Sequence, residues 1–461
     1  MGKGGVFELH DIKVGEKYEV YIDNMAHEGQ GVGRIEGVAV FVEGALTGER
    51  VVAQIDKISK NYVIGHVVEI LEKSRDRVEP LCPYADKCGG CSLQHLSYEG
   101  QLKYKTQKVK DNLERIGKVY TKVHEIIGMK EPQRYRNKAQ FPVGMLDGEV
   151  VTGFYAPRSH DIVPIESCMI QDEVSDYIAR TIRNWIKKYN VSVYDEKAGK
   201  GLIRHIVTRV GFKTGEVMVI LVVNGKHIPY KEQLIDALKK EINGLKSVVL
   251  NINTKRTNVI MGEDNITIYG SDNIIDYIKD IKFEISPLSF FQVNPVQTEV
   301  LYGKALEYAD LKGDETVIDV YCGIGTISLF AAQKAFFVYG IEAVHQAVED
   351  AKRNAYINGI KNVEFISGDA EKVMPELVDK GVKADVVIMD PPRKGCDTSV
   401  LEAVIKMNPK KIVYVSCNPS TLARDLRYLE DNGYKTMEVQ PVDMFPYTYH
   451  VESVCLITNK S

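Results

Sequence analysis

The stretch Asp319-Val320-Tyr321-Cys322-Gly323-Ile324-Gly325-Thr326 decides how the last third of this 461-residue chain is read. It follows the apolar run Thr316 to Val320 and precedes helical spacing near 327–335. A glycine-rich turn from strand to helix lets a ligand approach the backbone closely. Gly323 is placed for such an approach. A lone Gly-x-Gly is weak evidence, and Ser328 stands where a dinucleotide fingerprint has its third glycine. The following strands therefore carry the reading. The run 337–341 leads to Glu342, whose carboxylate can accept two ribose hydroxyls. The run 363–366 leads to Ser367-Gly368-Asp369-Ala370, with Asp369 placed to hold an adenine. The run 385–389 ends in Asp390-Pro391-Pro392-Arg393. Acids at successive strand ends line the mouth of a parallel sheet, where ligands bind.

Working outward, helices near 344–358, 398–407 and 419–432 alternate with these strands and with strand 411–416. That alternation predicts a parallel, doubly wound α/β sheet over 286–461. Two further strands, 436–442 and 451–458, follow the last helix. A terminal strand pair belongs to a methyltransferase sheet rather than a dehydrogenase sheet, which favours S-adenosylmethionine over NAD. The fifth strand ends in Ser416-Cys417-Asn418-Pro419. Asn418 is a good N-cap and Pro419 a good first helical residue. Cys417 thus sits beside a helix N-terminus, which predicts a lowered thiol pKa and a nucleophile. Glu452 begins the last strand and is a candidate partly buried base, with His450 as its rival.

Residues 8–72 read as short alternating strands punctuated by glycines, a small OB-type barrel. We place domain boundaries at 1–74 (barrel), 75–285 (a central α+β domain) and 286–461. Helical spacing covers 97–117, 172–189 and 230–243, and the central domain shows no catalytic motif.

The formal net charge is −4, which by itself disfavours a polyanionic partner. Its distribution does not. Residues 75–285 hold 33 basic and 27 acidic side chains, and 101–140 hold 11 and 4. Lys103, Lys105, Lys108, Lys110, Arg134, Arg136 and Lys138 form a stripe with Tyr104 and Tyr135 interleaved, a pattern suited to RNA. No apolar run approaches the roughly 18 residues of a membrane span, and Met1 to His10 shows no signal-peptide stretch. No membrane contact is expected.

Eight cysteines are present, three of them close together as Cys82-x5-Cys88-Gly-Gly-Cys91, with Cys168 as a distant fourth. Such thiolates need a positive charge nearby, so a metal site is expected. Zinc and a [4Fe–4S] cluster both fit the count.

These features together resemble the bacterial 23S ribosomal RNA (uracil-5-)-methyltransferases. The similarity runs over nearly the whole chain. It rests on the four-cysteine pattern, Tyr135-Arg136-Asn137-Lys138-Ala139, Phe291-Gln292-Val293-Asn294-Pro295, the Asp319 to Gly325 turn, Asp390-Pro-Pro-Arg393, Ser416-Cys417-Asn418-Pro419 and His450-Val451-Glu452. The resemblance implies a TRAM barrel over 8–72, a [4Fe–4S] cluster on Cys82, Cys88, Cys91 and Cys168, and a helical segment near 93–124 packed on the catalytic domain. It also implies cofactor contacts at Gln292, Tyr321, Glu342 and Asp390, the nucleophile Cys417 and the base Glu452. The expected product is 5-methyluridine in 23S ribosomal RNA, made by a monomeric cytoplasmic enzyme. The tRNA enzymes of bacteria lack the barrel and the cysteines, which favours the ribosomal branch. Three alternatives stay open: a tRNA uracil-5 methyltransferase, an amino-group methyltransferase, and a non-catalytic iron–sulfur RNA-binding protein.

Overall fold

A computed structural model describes residues 12–460. The Met1 to His10 segment lies outside them. The chain forms two compact units. The first holds the residues up to Asp86, then 90–108 and 445–449; the second holds 87–89, 109–444 and the chain from His450 onward. The boundary expected at 285 therefore falls inside one unit.

The first unit is built on a closed barrel of strands β1 (Lys17–Met25), β2 (Gly31–Ile35), β3 (Val38–Glu43), β4 (Arg50–Ile58) and β5 (Tyr62–Glu72), in the order β1-β2-β3-β5-β4. Alternation turns Val20, Ile22, Val40, Val42, Val51, Ala53 and Ile55 inward. β2 does not read as a strand because two of its five residues are glycine. The barrel requires one of them: a Cβ on Gly33 would lie 2.4 Å from the Tyr21 carbonyl oxygen. Helix α1 (Tyr98–Asn112) follows.

Glu49 is fully buried in this unit and accepts two bonds from Arg77, at 2.5 and 2.8 Å, and one from the Leu46 amide. Burial pushes its pKa up, but Arg77 and the backbone amides outweigh burial and hold it below the ordinary carboxylate range. A depressed carboxylate adds stability above its unfolded pKa and loses it as pH falls through the folded value. Arg77→Met leaves that charge buried without its partner and is expected to cost about 3–5 kcal/mol. Thermal unfolding at neutral pH checks this, and the deficit should shrink in acid as Glu49 protonates.

The second unit carries two large sheets. The first has seven strands: β7 (Lys138–Leu146), β8 (Glu149–Tyr155), β9 (Ile162–Pro164), β10 (Ile203–Val210), β11 (Val217–Val223), β12 (Leu245–Ile252) and β13 (Asp264–Gly270). Helices α2 (Glu173–Tyr189) and α3 (Lys231–Glu241) cover it through Ile178, Ile182, Trp185 and Leu234. A hairpin, β14 (Ile274–Ile278) and β15 (Ile281–Ile285), precedes α4 (Pro295–Ala309).

The second sheet has eight strands: β6 (Lys122–Val123), β16 (Thr316–Val320), β17 (Phe337–Glu342), β18 (Val363–Ser367), β19 (Val386–Met389), β20 (Lys411–Ser416), β21 (Tyr434–Val442) and β22 (Glu452–Asn459). Helices α5 (Thr326–Ala332), α6 (His345–Ile357), α7 (Ala370–Asp379), α8 (Thr398–Met407) and α9 (Pro419–Asp431) connect the parallel strands. This is the expected doubly wound sheet with an antiparallel terminal pair. Among the described residues no helix is long and apolar enough to cross a membrane.

Candidate active site

The eight strands run β18-β17-β16-β19-β20-β22-β21-β6. Strand order reverses between β16 and β19, which opens a crevice at their carboxyl ends. Register brings the candidate residues there. Val320 pairs with Ile341 on one side and Met389 on the other. One step further along, Tyr321, Glu342 and Asp390 stand side by side. Ser416 pairs with Ser453 in the antiparallel β20/β22 ladder. One more step places Cys417 across from Glu452.

Local bonds fix these groups. Glu342 accepts from the Gly323 amide (3.0 Å) and the Val344 amide (2.8 Å), which locks the glycine turn to β17. Gly323 has φ 56° and open space where a Cβ would be, so a ligand can reach its backbone. Tyr321 adopts φ 70°, a left-handed conformation rare for a bulky residue, and its phenol lies against Cys396. Asn418 caps α9 by accepting from the Ser420 amide, and its Nδ2 donates to the Arg393 carbonyl at 3.0 Å. Ser416 Oγ donates to the Asn418 carbonyl and accepts its amide, both at 3.1 Å. Cys417 sits inside that staple.

Gln292 is buried. Its backbone carbonyl accepts from Asn137 Nδ2 at 3.1 Å, and the Asn137 amide donates to the Val293 carbonyl at 2.9 Å. The two motifs around Asn137 and Gln292 are thus one joint. Asn294 caps α4 by accepting from the Gln297 amide.

The electrostatics show how close the groups lie. Burial pushes the Cys417 thiol up to about 12, Glu452 and Asp390 push it further in the same direction, and Arg393 opposes them. The helix terminus does not prevail, so the expected lowering of this thiol is overturned. The first cause is burial, and two carboxylates distant in sequence, Glu452 and Asp390, add to it. Glu452 is buried and held well above the ordinary carboxylate range by burial and Asp390, with Arg393 opposing. Burial raises Asp390 and Asp319 to about 7 each. Asp319 accepts from Ser328 Oγ through Oδ2, while its buried Oδ1 has no partner.

Alkylation of Cys417 in the protein alone should therefore quicken about tenfold per pH unit from roughly pH 7 to 10 without a plateau. Peptide mapping after iodoacetamide treatment checks it; a plateau near pH 8 would contradict it.

Asp369 follows Gly368, whose amide donates to the Glu342 carbonyl at 2.9 Å. It is exposed and its carboxylate bonds Lys372 Nζ at 2.7 Å. Tyr302 and Arg393 belong to the site but drew no role from sequence. Tyr302 on α4 is buried, its hydroxyl lies 3.2 Å from Thr326 Oγ1, and it also bonds Gln292. The Asn294-Pro295 start of α4 is the signal that could have found it.

Among the described residues no group of three or more His, Cys, Asp or Glu side chains that could hold a metal ion is present. Cys82 and Cys91 belong to the first compact unit, Cys88 and Cys168 to the second. Cys168 is buried, which pushes its thiol up to about 11; the Ile170 and Gln171 amides oppose this, while Asp176 and Cys88 add to it.

The basic stripe also needs correction. Lys105 is fully buried and Lys108 nearly so, both bonded to carbonyl oxygens. Neither faces solvent. Two other members of the stripe, Arg136 and Lys138, lie two residues apart at the start of β7, where Lys138 pairs directly with Arg209 on β10. Burial and these two arginines lower Lys138 to about 7.

A parallel sheet with an antiparallel terminal pair, and a cysteine facing a buried glutamate at its edge, define a methyltransferase-type site. The chain belongs to the tRNA (uracil-5-)-methyltransferase family, whose model matches residues 97–460, and a TRAM domain matches 12–68. It is 66% identical over 449 residues to an uncharacterized RNA methyltransferase of Caldanaerobacter subterraneus, covering 97% of this chain and 99% of that protein. An uncharacterized RNA methyltransferase of Clostridium tetani is 56% identical, with 97% of each chain covered. Among solved structures, the Pyrococcus abyssi tRNA (uracil-54, C5)-methyltransferase in complex with S-adenosyl-L-homocysteine aligns with TM-score 0.77 and 26% identity. That alignment covers 95% of this chain and 99% of the archaeal one.

Proposed function

We propose that this chain transfers a methyl group from S-adenosylmethionine to C5 of a uridine in 23S ribosomal RNA, giving 5-methyluridine. The observation that carries this reading is the β20/β22 register, which sets Cys417 across from Glu452 beside Asp390. Gln292, Tyr321, Gly323, Glu342 and Asp390 hold the cofactor, with Asp369 at the rim. The cofactor supplies a methyl group on a cationic sulfonium.

Uracil C5 is a poor nucleophile, and covalent addition divides its methylation into easier steps. Cys417, its proton released to solvent, adds to C6 as the thiolate, and the electron pair moves toward C5; with S-adenosylmethionine bound, C5 would take the methyl group as the methyl–sulfonium bond breaks and leaves its electron pair on sulfur. Glu452 then takes the C5 proton, and the returning electron pair expels the Cys417 thiolate. Arg393 supplies the positive charge that steadies a thiolate between two acids. The uridine must leave its stack to reach Cys417.

Arg136 and Lys138 are suited to phosphates, whereas Arg209 is buried and bonded to the Pro287 and Ser289 carbonyls. Neutralising Arg136 and Lys138 is expected to flatten the salt dependence of RNA binding, lowering the log–log slope by about 1 for each phosphate no longer neutralised. Filter binding across a salt series checks this. Lys105, being buried, should act on folding instead.

The spacing Cys82-x5-Cys88-Gly-Gly-Cys91 with Cys168 carries the proposal of a [4Fe–4S] cluster, with zinc as the alternative. Protein purified without air should be brown; a colourless, zinc-containing sample would contradict the cluster.

A tRNA substrate is the second reading. The archaeal tRNA enzyme aligns over 95% of this chain, so a barrel region does not by itself separate the two substrates. Nucleoside mapping of both RNAs from a deletion strain decides it: loss of 5-methyluridine from 23S ribosomal RNA supports the first reading, and loss from tRNA alone supports the second. A cytoplasmic monomer is the form this function implies.

A further inference from the structure

The segment 391–396 joins β19 to α8 and carries Arg393, yet it belongs to no strand or helix, so no ladder register places it. It is fastened instead to one face of α9, at Asn418, Thr421, Arg424 and Asp425, which recur at helical spacing. The Arg393 carbonyl accepts from Asn418 Nδ2 at 3.0 Å and from Thr421 Oγ1 at 3.3 Å. Arg424 Nη2 donates to the Lys394 and Cys396 carbonyls, both at 3.1 Å. Asp425 Oδ2 accepts the Cys396 amide at 2.9 Å and the Tyr414 hydroxyl at 2.6 Å, and Oδ1 accepts from Arg424 Nε at 2.7 Å. Asp425 is buried, whereas the Arg424 side chain is half-exposed. The segment runs close against this pair: a Cβ on Gly395 would lie 2.6 Å from Arg424 Nη2 and 2.7 Å from Asp425 Oδ2.

Helix α9 begins at Pro419, two residues after Cys417. The nucleophile and the segment that carries Arg393 therefore hang on one support. Arg393 is the cation that opposes burial and the two acids at Cys417, and at Glu452 it opposes burial and Asp390. The influence of a charge falls with distance and with access of water, so a slack segment would weaken it.

We propose that Thr421, Arg424 and Asp425 are positioning residues for the methyl-transfer reaction: they fasten 393–396 to α9 and thereby keep the charge of Arg393 beside Cys417. The inference rests on Cys417 being the nucleophile.

The test reads the charge beside Cys417 in the protein alone, with two alkylating reagents, anionic iodoacetate and neutral iodoacetamide. The ratio of their rates at Cys417 cancels the fraction of thiolate, which both reagents require. Arg393→Met should lower that ratio about threefold or more, because a nearby cation draws the anion in. Asp425→Asn should lower it by a similar factor, since the amide cannot hold Arg424 Nε and the fork on the Lys394 and Cys396 carbonyls is lost. The sign is decisive: removing a negative charge would by itself raise the ratio. Thr421→Val, which touches no charge, should lower it about twofold and decides the matter if Asp425→Asn does not fold. In the Arg393→Met background neither substitution should lower it further. In methyl transfer to RNA, Asp425→Asn should lower kcat about tenfold, again with no added loss in the Arg393→Met background. A parental or raised ratio in Asp425→Asn overturns the inference, as does a parental ratio in Thr421→Val if the first variant does not fold. So does a further fall in the Arg393→Met background. If Cys417→Ala keeps parental methyl transfer, the nucleophile assignment fails instead.

Discussion

Cys417→Ala is expected to lower methyl transfer to RNA by at least about a thousandfold, because the covalent route is removed while binding remains. The substituted side chain is small, and the staple around it consists of Ser416 and Asn418 bonds that do not use the thiol. Thermal unfolding should therefore move little. S-adenosylmethionine affinity, measured by calorimetry, should stay within a few-fold, since Gln292, Glu342 and Asp390 are untouched. A transfer rate within about tenfold of the parent would remove the nucleophile assignment.

Glu452→Gln has a different signature. The amide is near-isosteric but cannot take a proton. Turnover should fall by about 10²–10⁴, and a methylated adduct should build up on ordinary RNA, visible as a slow-migrating band in denaturing gels. The variant should also reverse part of the electrostatic strain. After burial, Glu452 is the charge that pushes Cys417 upward most. Its neutral replacement should let Cys417 react with iodoacetamide at lower pH. Turnover at the parental rate would direct attention to His450 as the base.

Much of this site is legible in the sequence, and the reasons are physical. Buried parallel strands read as apolar runs, and β16, β19 and β20 each end where such a run meets Asp319-Val320-Tyr321, Asp390-Pro391 or Ser416-Cys417. Helix α9 announces itself through Asn418 and Pro419. Helix α4 opens on the same pair, Asn294 and Pro295, but it buries polar Gln297 and Thr298 alongside Leu301 and Tyr302, which blurs its apolar stripe. Tyr302 is hidden with it.

Charge is the harder signal. Lys105 and Lys108 count as basic in any tally, but their ammonium groups end on carbonyl oxygens inside the first unit. Arg136 and Lys138 carry the same formal charge and stand beside Arg209. Only tertiary placement separates the two pairs. The Cys417 thiol makes the same point. Its neighbour in sequence, the start of α9, predicts a low pKa. Burial raises it, and its neighbours in space, Glu452 and Asp390, raise it further.

Incubating the protein with S-adenosylmethionine and RNA bearing 5-fluorouridine at the target position separates the covalent mechanism from every alternative. Fluorine cannot leave as a proton, so the reaction should stop at a stable complex of protein, RNA and one transferred methyl group. Mass mapping should place the link at Cys417, and Cys417→Ala should form none. Absence of a complex, or a complex linked through another residue, would contradict a Cys417 adduct as the route to 5-methyluridine.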